Sequence, residues 1–340
     1  MTKNEYLENL SQTLIENGKG KKFIDVCLRY ASKLIDMNLP VIFDTKHLSL
    51  LIGISNIELF RMLRCNELYY SIKTIPKKSG GMRKLIIPSM SLKYIQRWIL
   101  DNILNNIRVS EHATGFCKNK SIVTNAKLHV SNDCVMTFDL EDFFPSINFE
   151  TIFKIFNHYG YTKEVSFVLA KLCTFEDILP QGSPASPYLS NIVCNRLDKR
   201  LSMLAKTYNA NYSRYADDIT ISGKFSIQNI KSTIEIIVCE ENFKINNNKT
   251  RVSYKHQKQE VAGLIVNCGN VTVEKKYRKK LMQEIYYCKK YGVENHMSRI
   301  GLAKSFYKEH LYGKAYFINM VNPVDGKKIL DLLSQIEWDY

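Results

Sequence analysis

Between residues 131 and 270 the hydrophobic periodicity changes in a set order: strand, helices, hairpin, helix, hairpin. The strand signals are period-two alternation and β-branched residues; the helix signals are apolar residues three and four apart. Consecutive hairpins cannot form a doubly wound parallel sheet, whose strands need crossover helices between them. The order therefore predicts an α+β fold, an antiparallel sheet backed by helices. No GxxxxGK[ST] segment occurs and no GxGxxG follows a strand, so the phosphate loops of parallel α/β folds are missing too.

The first hairpin of this region is YSRYADDITIS, residues 212–222, with Asp217 and Asp218 between two strand-like runs. An Asp pair at a hairpin tip is by itself ordinary turn chemistry. A second acidic site changes its meaning. Asp139 ends the strand-like CVMTFDL and precedes Glu141 and Asp142. A strand-terminal Asp and a hairpin-tip pair can converge on one sheet edge. Three such carboxylates could hold two divalent cations about 3.5–4 Å apart, the arrangement of polymerases and nucleases. Carboxylate oxygens select hard ions, Mg²⁺ or Mn²⁺.

Around this core the chain reads as follows. Residues 5–38 form helices, and TKHLSLLIGISNIELFRMLR forms two short helices joined near Gly53, a pattern shared by DNA-reading helix-turn-helix units and by ordinary packed helix pairs. YYSIKTIPKKSGGMRKLIIP is a hairpin with a Pro/Lys/Gly turn, and SLKYIQRWILDNILNNI is a helix. CVMTFDLEDFFPSI is a strand stopped by Pro145. LPQGSPASPYLSNIVCNRLDKRLSMLAK opens as a loop and continues as one long helix. QEVAGLIVNCGNVTV is a second hairpin with CGN at its turn, and residues 271–340 are helical.

Charge placement narrows the partner. The chain carries +15. Residues 69–130 hold eleven Lys and Arg against Asp101 and Glu111, residues 271–340 hold thirteen against eight acids, and residues 131–270 hold fifteen of each. Two basic stretches flank a neutral one containing the acidic site, which suits nucleic acid. No apolar run reaches membrane-spanning length, and the polar N-terminus lacks the apolar segment of a signal peptide. Nine scattered cysteines with no CxxC pair fit buried thiols in a reducing cytoplasm.

FDLEDFFPSI, LPQGSPASPYLSN and YADD, in that order, resemble the palm motifs of reverse transcriptases. IPKKSGGMRKLIIP is similar to that family's fingers hairpin, and FKINNNKT and VAGLIVN to its two later palm motifs, so the resemblance runs from about Ile72 to Asn267. It implies a right-hand polymerase architecture: a helical N-terminal region (1–68), fingers (69–130), a catalytic palm (131–270) and a helical thumb or RNA-recognition region (271–340). It implies that Asp139, Asp217 and Asp218 hold two Mg²⁺ ions, with Mn²⁺ as a substitute. Phe144, five residues after Asp139, would be an aromatic steric gate selecting dNTPs, although Phe143 and Phe144 are adjacent and one of them must point into the core. Lys77, Lys78 and Arg83 would clamp the triphosphate, where a guanidinium suits bidentate phosphate binding. Gln181 and Gly182 would touch the incoming nucleotide, Lys249 would lie near the leaving pyrophosphate, and Gly263 would lie in the hairpin that grips the primer.

NAKLH, Asn125–His129, resembles the NAxxH signature of bacterial retron reverse transcriptases. Those enzymes also carry Val-Thr-Gly near the last palm motif; here Val261, Ala262 and Gly263 lack the threonine. The resemblance implies RNA recognition by Asn125, His129 and Gly263 and by Lys275, Lys276, Arg278, Lys279 and Lys280 of VEKKYRKKLMQEIYYCKKYG, with tyrosines for stacking. It implies synthesis of DNA from dNTPs on a cognate noncoding RNA, primed by a guanosine 2′-OH, giving a small DNA joined to RNA by a 2′,5′ branch. A host RNase H would trim the template, and an effector protein would act with the enzyme in anti-phage defence, without a membrane. The rivals are another bacterial reverse transcriptase (group II intron-like or abortive-infection type), a metal-dependent nuclease, and a catalytically silent RNA-binding scaffold. Three clustered, mutually repelling carboxylates argue against an idle site.

Overall fold

Local chemistry sets the helix boundaries. Asp44, Ser55, Ser89, Ser121 and Asn148 each open a helix by accepting a backbone N–H of its first turn, worth about 1 kcal/mol apiece. The computed structural model describes residues 2–76, 80–267, 269–301 and 306–338. In chain order, α1 (Lys3–Glu16), α2 (Lys21–Asp36), α3 (Thr45–Ile52) and α4 (Asn56–Arg64) precede the strands β1 (Tyr70–Pro76) and β2 (Met82–Pro88). Next come α5 (Met90–Asn102), α6 (Ile122–Lys127), β3 (Cys134–Asp139), α7 (Phe149–His158), α8 (Lys163–Cys173), α9 (Ser186–Val193) and α10 (Asn195–Thr207). β4 (Asn211–Tyr215), β5 (Asp218–Gly223), α11 (Ile227–Glu240), β6 (Arg251–Tyr254), β7 (Glu260–Val261) and β8 (Leu264–Ile265) follow. The last elements are α12 (Lys275–Tyr291), α13 (Val293–Arg299), α14 (Tyr307–Val321) and α15 (Pro323–Ser334).

Two compact units emerge. One comprises Met1–Glu111, Glu141–Lys199 and Val238–Phe243; the other comprises His112–Leu140, Arg200–Ile237 and Lys244–Tyr340. In the first, α8 buries Val165, Val168, Leu169, Ala170 and Leu172, and α7 packs along it. The buried Gln96 of α5 donates to the Leu172 carbonyl (2.8 Å) and to the Tyr70 hydroxyl (2.9 Å). β1 and β2 pair from Tyr70↔Pro88 to Pro76↔Met82. Most of this hairpin is exposed, so its pairing rests on backbone bonds and cross-strand contacts more than on a core.

The second unit holds the sheet in the order β4-β5-β3-β6, every pair antiparallel. Val135 of β3 joins Val261 and Leu264 of the short β7–β8 hairpin, and Val266 just after it, in one apolar cluster with Leu281, Ile285, Leu311, Ile318 and Leu333 of α12, α14 and α15. The α+β class expected from the order of elements is the class observed, antiparallel sheets included.

Two local expectations shift. The helix expected after LPQGSPASP breaks at Cys194 into α9 and α10. The tight turn of the second hairpin lies at Ala262–Gly263, both with positive φ (48° and 81°), the geometry of a two-residue hairpin turn. The pairing expected to flank CGN is present as well, as a single antiparallel bridge in which Ile265 and Thr272 exchange backbone hydrogen bonds of 2.8 and 3.0 Å; within CGN, Cys268 lies outside the described residues.

Candidate active site

Strand register delivers the acidic site. β3 and β5 pair so that Asp139 stands directly opposite Asp218, and β4 and β5 pair Tyr215 with Asp218, which leaves Ala216 and Asp217 as the hairpin tip. Ala216 has φ +57°, and the Leu140 N–H donates to the Asp217 carbonyl at 3.0 Å. Like charges directly opposite in a sheet destabilise it. A cation already offsets part of that cost, because Lys249 Nζ sits 2.8 and 3.0 Å from the two Asp139 oxygens.

Asp218 shows the remaining strain. It opens to solvent in a groove, yet the surrounding protein withdraws enough water to push its pKa up to about 6. Desolvation is the main cause, the charges of Asp217 and Asp139 add to it, and Lys249 opposes it. The groove has a volume of about 430 Å³ and is lined by Asp139, Asp218, Lys249, Arg251, Lys258 and Gly263, among others. Alternation along β6 puts Arg251 and Ser253 on one face, and both line the groove together with Lys249, which lies in the turn before that strand. That period was visible in the sequence, although Arg251 and Lys258 were not among the residues it singled out.

Among the described residues, no three His, Cys, Asp or Glu side chains are gathered closely enough to hold an ion. Asp139 and Asp218 face one another, while Lys249 takes the place of a counter-charge on Asp139. The donor set nevertheless fits divalent cations: hard carboxylate oxygens, crowded until one of them resists ionisation.

The other expected residues fall in three places. Lys77 and Lys78 lie outside the described residues. Arg83, Phe144, Gln181 and Gly182 belong to the first compact unit. There Phe143 is the ring that points inward, 3% exposed and in contact with Phe243 (5.7 Å) and Phe144 (5.4 Å), while Phe144 is half-exposed. Gly182 donates its N–H to the Ile86 carbonyl at 3.0 Å, and a Cβ at Gly182 would fall on that same carbonyl. Its missing side chain thus serves close packing of the loop on β2. Lys275, Lys276, Arg278, Lys279 and Lys280 are all exposed on α12, with Arg278 paired to Asp325 at 2.6 Å.

Asn125 and His129 were expected to contact RNA. Both are interior, at 1% and 0% exposure. Asn125 Oδ1 accepts from the hydroxyls of Ser213 (2.5 Å) and Thr114 (3.0 Å). The His129 ring nitrogens lie 2.7 Å from Ser213 Oγ and 2.7 Å from Ser222 Oγ. Side chains committed in this way cannot reach a nucleic acid. Arg214, which sequence reasoning passed over, is fully buried and donates from Nη1 to the Ala216 carbonyl at 2.9 Å. A charged residue where a strand pattern calls for an apolar one was the available signal.

Burial holds His129 neutral, with its pKa down to about 3. In the unfolded chain the ring takes up a proton below its ordinary value of about 6.5, so stability is lost as pH falls from there toward 3. Between pH 7 and 5 this costs about 2 kcal/mol. The Tm of the wild-type chain is expected to fall more over that interval than the Tm of His129→Gln. Parallel falls would show that His129 does not titrate on unfolding.

The family described as reverse transcriptase (RNA-dependent DNA polymerase) matches residues 75–268 of this chain. The retron Ec86 reverse transcriptase of Escherichia coli is 32% identical over 312 residues, covering 91% of this chain and 94% of that protein. The retron Mx162 reverse transcriptase of Myxococcus xanthus is 33% identical over 299 residues, and this chain spans 61% of its length. The structure of a foamy viral protease-reverse transcriptase in complex with ds DNA aligns with 79% of this chain, at 15% identity and a TM-score of 0.42. Among the described residues no helix is long and apolar enough to cross a membrane.

Proposed function

The chain belongs to the retron reverse transcriptases and is an RNA-directed DNA polymerase, and we propose that it copies its own structured noncoding RNA into a small DNA branched from a guanosine 2′-OH, in the service of anti-phage defence. The observation that carries the catalytic reading is the placement of Asp139 opposite Asp218, beside Asp217 and Lys249, at one end of the sheet. Asp139, Asp217 and Asp218 would hold divalent cations, Mg²⁺ in the cell. When bound, such ions lower the pKa of an attacking hydroxyl and stabilise charge on the transferred phosphoryl group. Lys249 neutralises Asp139 beside the groove and supplies positive charge for the departing pyrophosphate.

The remaining assignments follow the family resemblance. Arg83, with Lys77 and Lys78, serves the triphosphate, Gln181 and Gly182 serve the incoming nucleotide, and the β7–β8 turn at Gly263 serves the primer. In functional terms residues 69–130 act as fingers, 131–270 as palm and 271–340 as thumb. The template RNA, a trimming RNase H and an effector protein are the proposed partners. The test is expression of the gene with its upstream DNA in a bacterium, followed by recovery of small DNA. A DNA that carries covalently linked RNA and is released by a 2′,5′ debranching enzyme is the expected product. An unbranched DNA product would remove the retron chemistry and leave a general polymerase.

Phe144 is the proposed gate, since its neighbour Phe143 is the one that fills the core. Phe144→Ala should lower the ratio of kcat/KM for dNTP over rNTP by about tenfold, within the range that steric rejection of one hydroxyl supplies. An unchanged ratio with activity retained would make Phe144 a packing residue only.

A further inference from the structure

The polar cluster behind the catalytic hairpin has one self-consistent proton arrangement. Asn125 Oδ1 can only accept, so the Ser213 hydroxyl donates to it. The His129 nitrogen beside Ser213, Nε2, must then be the donor of that pair. His129 Nδ1 is left as an acceptor, and the Ser222 hydroxyl donates to it. One neutral tautomer satisfies both ring nitrogens, both serine hydroxyls and Asn125 Oδ1, and all four residues are buried. Thr114 extends the cluster, since its hydroxyl lies 3.0 Å from Asn125 Oδ1 and 2.9 Å from the Arg214 carbonyl.

The attachment points are informative. Ser213 belongs to β4 and Ser222 to β5, the two strands of the hairpin that ends in Asp217 and Asp218. Ser213 pairs with Thr220 and Tyr215 with Asp218. Period-two alternation therefore places Ser213, Ser222, Thr220 and Asp218 on one face of the sheet. A one-residue slip of β4 against β5 would turn Ser213 to the opposite face and break the cluster. The same hairpin is buttressed by the segment before α6: Thr114 N–H donates to the Arg214 carbonyl (2.8 Å), Arg214 N–H donates to the His112 carbonyl (2.9 Å), and a Cβ at Gly115 would lie 2.7 Å from Ala216 N.

We propose that Asn125 and His129 are positioning residues, which clamp Ser213 and Ser222 and so fix the register and pitch of the strands that carry the catalytic aspartates. This rests on the assignment of Asp217 and Asp218 as metal-holding residues. It replaces RNA contact with an internal role for both side chains. Fully satisfied buried polar networks specify one arrangement, because any alternative leaves a member unpaired at low dielectric. Small displacements of catalytic groups cost large factors in rate.

The experiment compares His129→Leu, His129→Gln and Ser213→Ala with wild type in the full-length chain, well below each Tm. Gln can keep the donor toward Ser213 and loses the acceptor toward Ser222. Expected in His129→Leu and Ser213→Ala are a fall in kcat of at least about tenfold, with KM for dNTP and Kd for RNA within about twofold. Faster amide exchange should be confined to peptides within residues 211–223. His129→Gln should recover part of kcat. Unchanged kcat and exchange in a folded His129→Leu would overturn the proposal, as would a loss seen only in RNA affinity. If His129→Leu does not fold, Ser213→Ala and Ser222→Ala, each removing one hydroxyl, decide by the same criteria. Asp217→Asn runs alongside. Full activity in that variant would remove the catalytic assignment of the hairpin, whereas an inactive Asp217→Asn beside wild-type rates in the clamp variants would remove only the clamp.

Discussion

Asp217→Asn is expected to lower dNTP incorporation on a primed RNA template with Mg²⁺ by at least about 10³-fold, a loss of the size that follows removal of one element of transition-state charge stabilisation. The change is isosteric. The hairpin tip keeps Ala216 at positive φ and the bond from Leu140 N–H to the Asp217 carbonyl, which is made by the backbone. The change removes a negative charge beside Asp218. Because Asp217 helps push the Asp218 pKa up to about 6, the variant also relieves repulsion in the metal-free protein. Activity should therefore collapse while Tm holds or rises, the combination expected where a site is arranged for chemistry at the expense of stability. RNA affinity should stay within about twofold of wild type, since phosphate contacts come from basic residues. Asp133→Asn makes the same chemical change beyond the opposite end of β3, at an exposed position, and should leave the rate untouched. Wild-type incorporation by Asp217→Asn would sink the assignment. A matched loss in Asp133→Asn would point to general charge effects.

The acidic site was legible because both of its parts sit on strands whose alternation can be read locally. The strand in CVMTFDL ends at Asp139 and YSRYADDITIS turns at Ala216–Asp217, and pairing of the two strands needs only antiparallel register. The steric-gate question was half legible. Adjacent phenylalanines announce that one points inward, but only packing against Phe243, about a hundred residues later, selects Phe143. The additional tight turn at Ala262–Gly263 went unread for a related reason. CGN offers the residues that favour positive φ, whereas Ala262 is a poor candidate. Burial of Val261, Leu264 and Val266 fixes the chain on either side of Ala262–Gly263. The break at Cys194 carries no Gly or Pro, so nothing local announced it. Asn125 and His129 mislead for the opposite reason. A motif of polar residues suggests a surface role, and only the tertiary structure reveals that its partners Ser213 and Ser222 come from strands more than eighty residues away.

Changing Lys275, Lys276, Lys279 and Lys280 together to Gln is expected to weaken RNA binding by about 10²-fold at 0.15 M salt, if each lysine meets one phosphate. The geometry of α12 supports a shared direction. At 100° per residue the four lysines span an arc of about 140°, and the buried Leu281, Ile285 and Cys288 lie on the other side of the helix. Arg278 is left in place because it is tied to Asp325 at 2.6 Å, and its loss would confuse docking of α15 with loss of charge. None of the four lysines is in an ion pair among the described residues, although Glu274 feels the charge of Lys276. The slope of log K against log salt should flatten by about 0.7 to 0.9 for each lost contact, close to three units in all. Synthesis on a generic primer–template at saturating concentration should survive better than synthesis primed from the cognate RNA, because the catalytic carboxylates belong to β3 and β5 and not to this helix. Equal loss in both reactions would make α12 a general duplex clamp. Loss in neither, with an unchanged salt slope, would reduce its charge to a solvated face, since isolated exposed charges commonly contribute little.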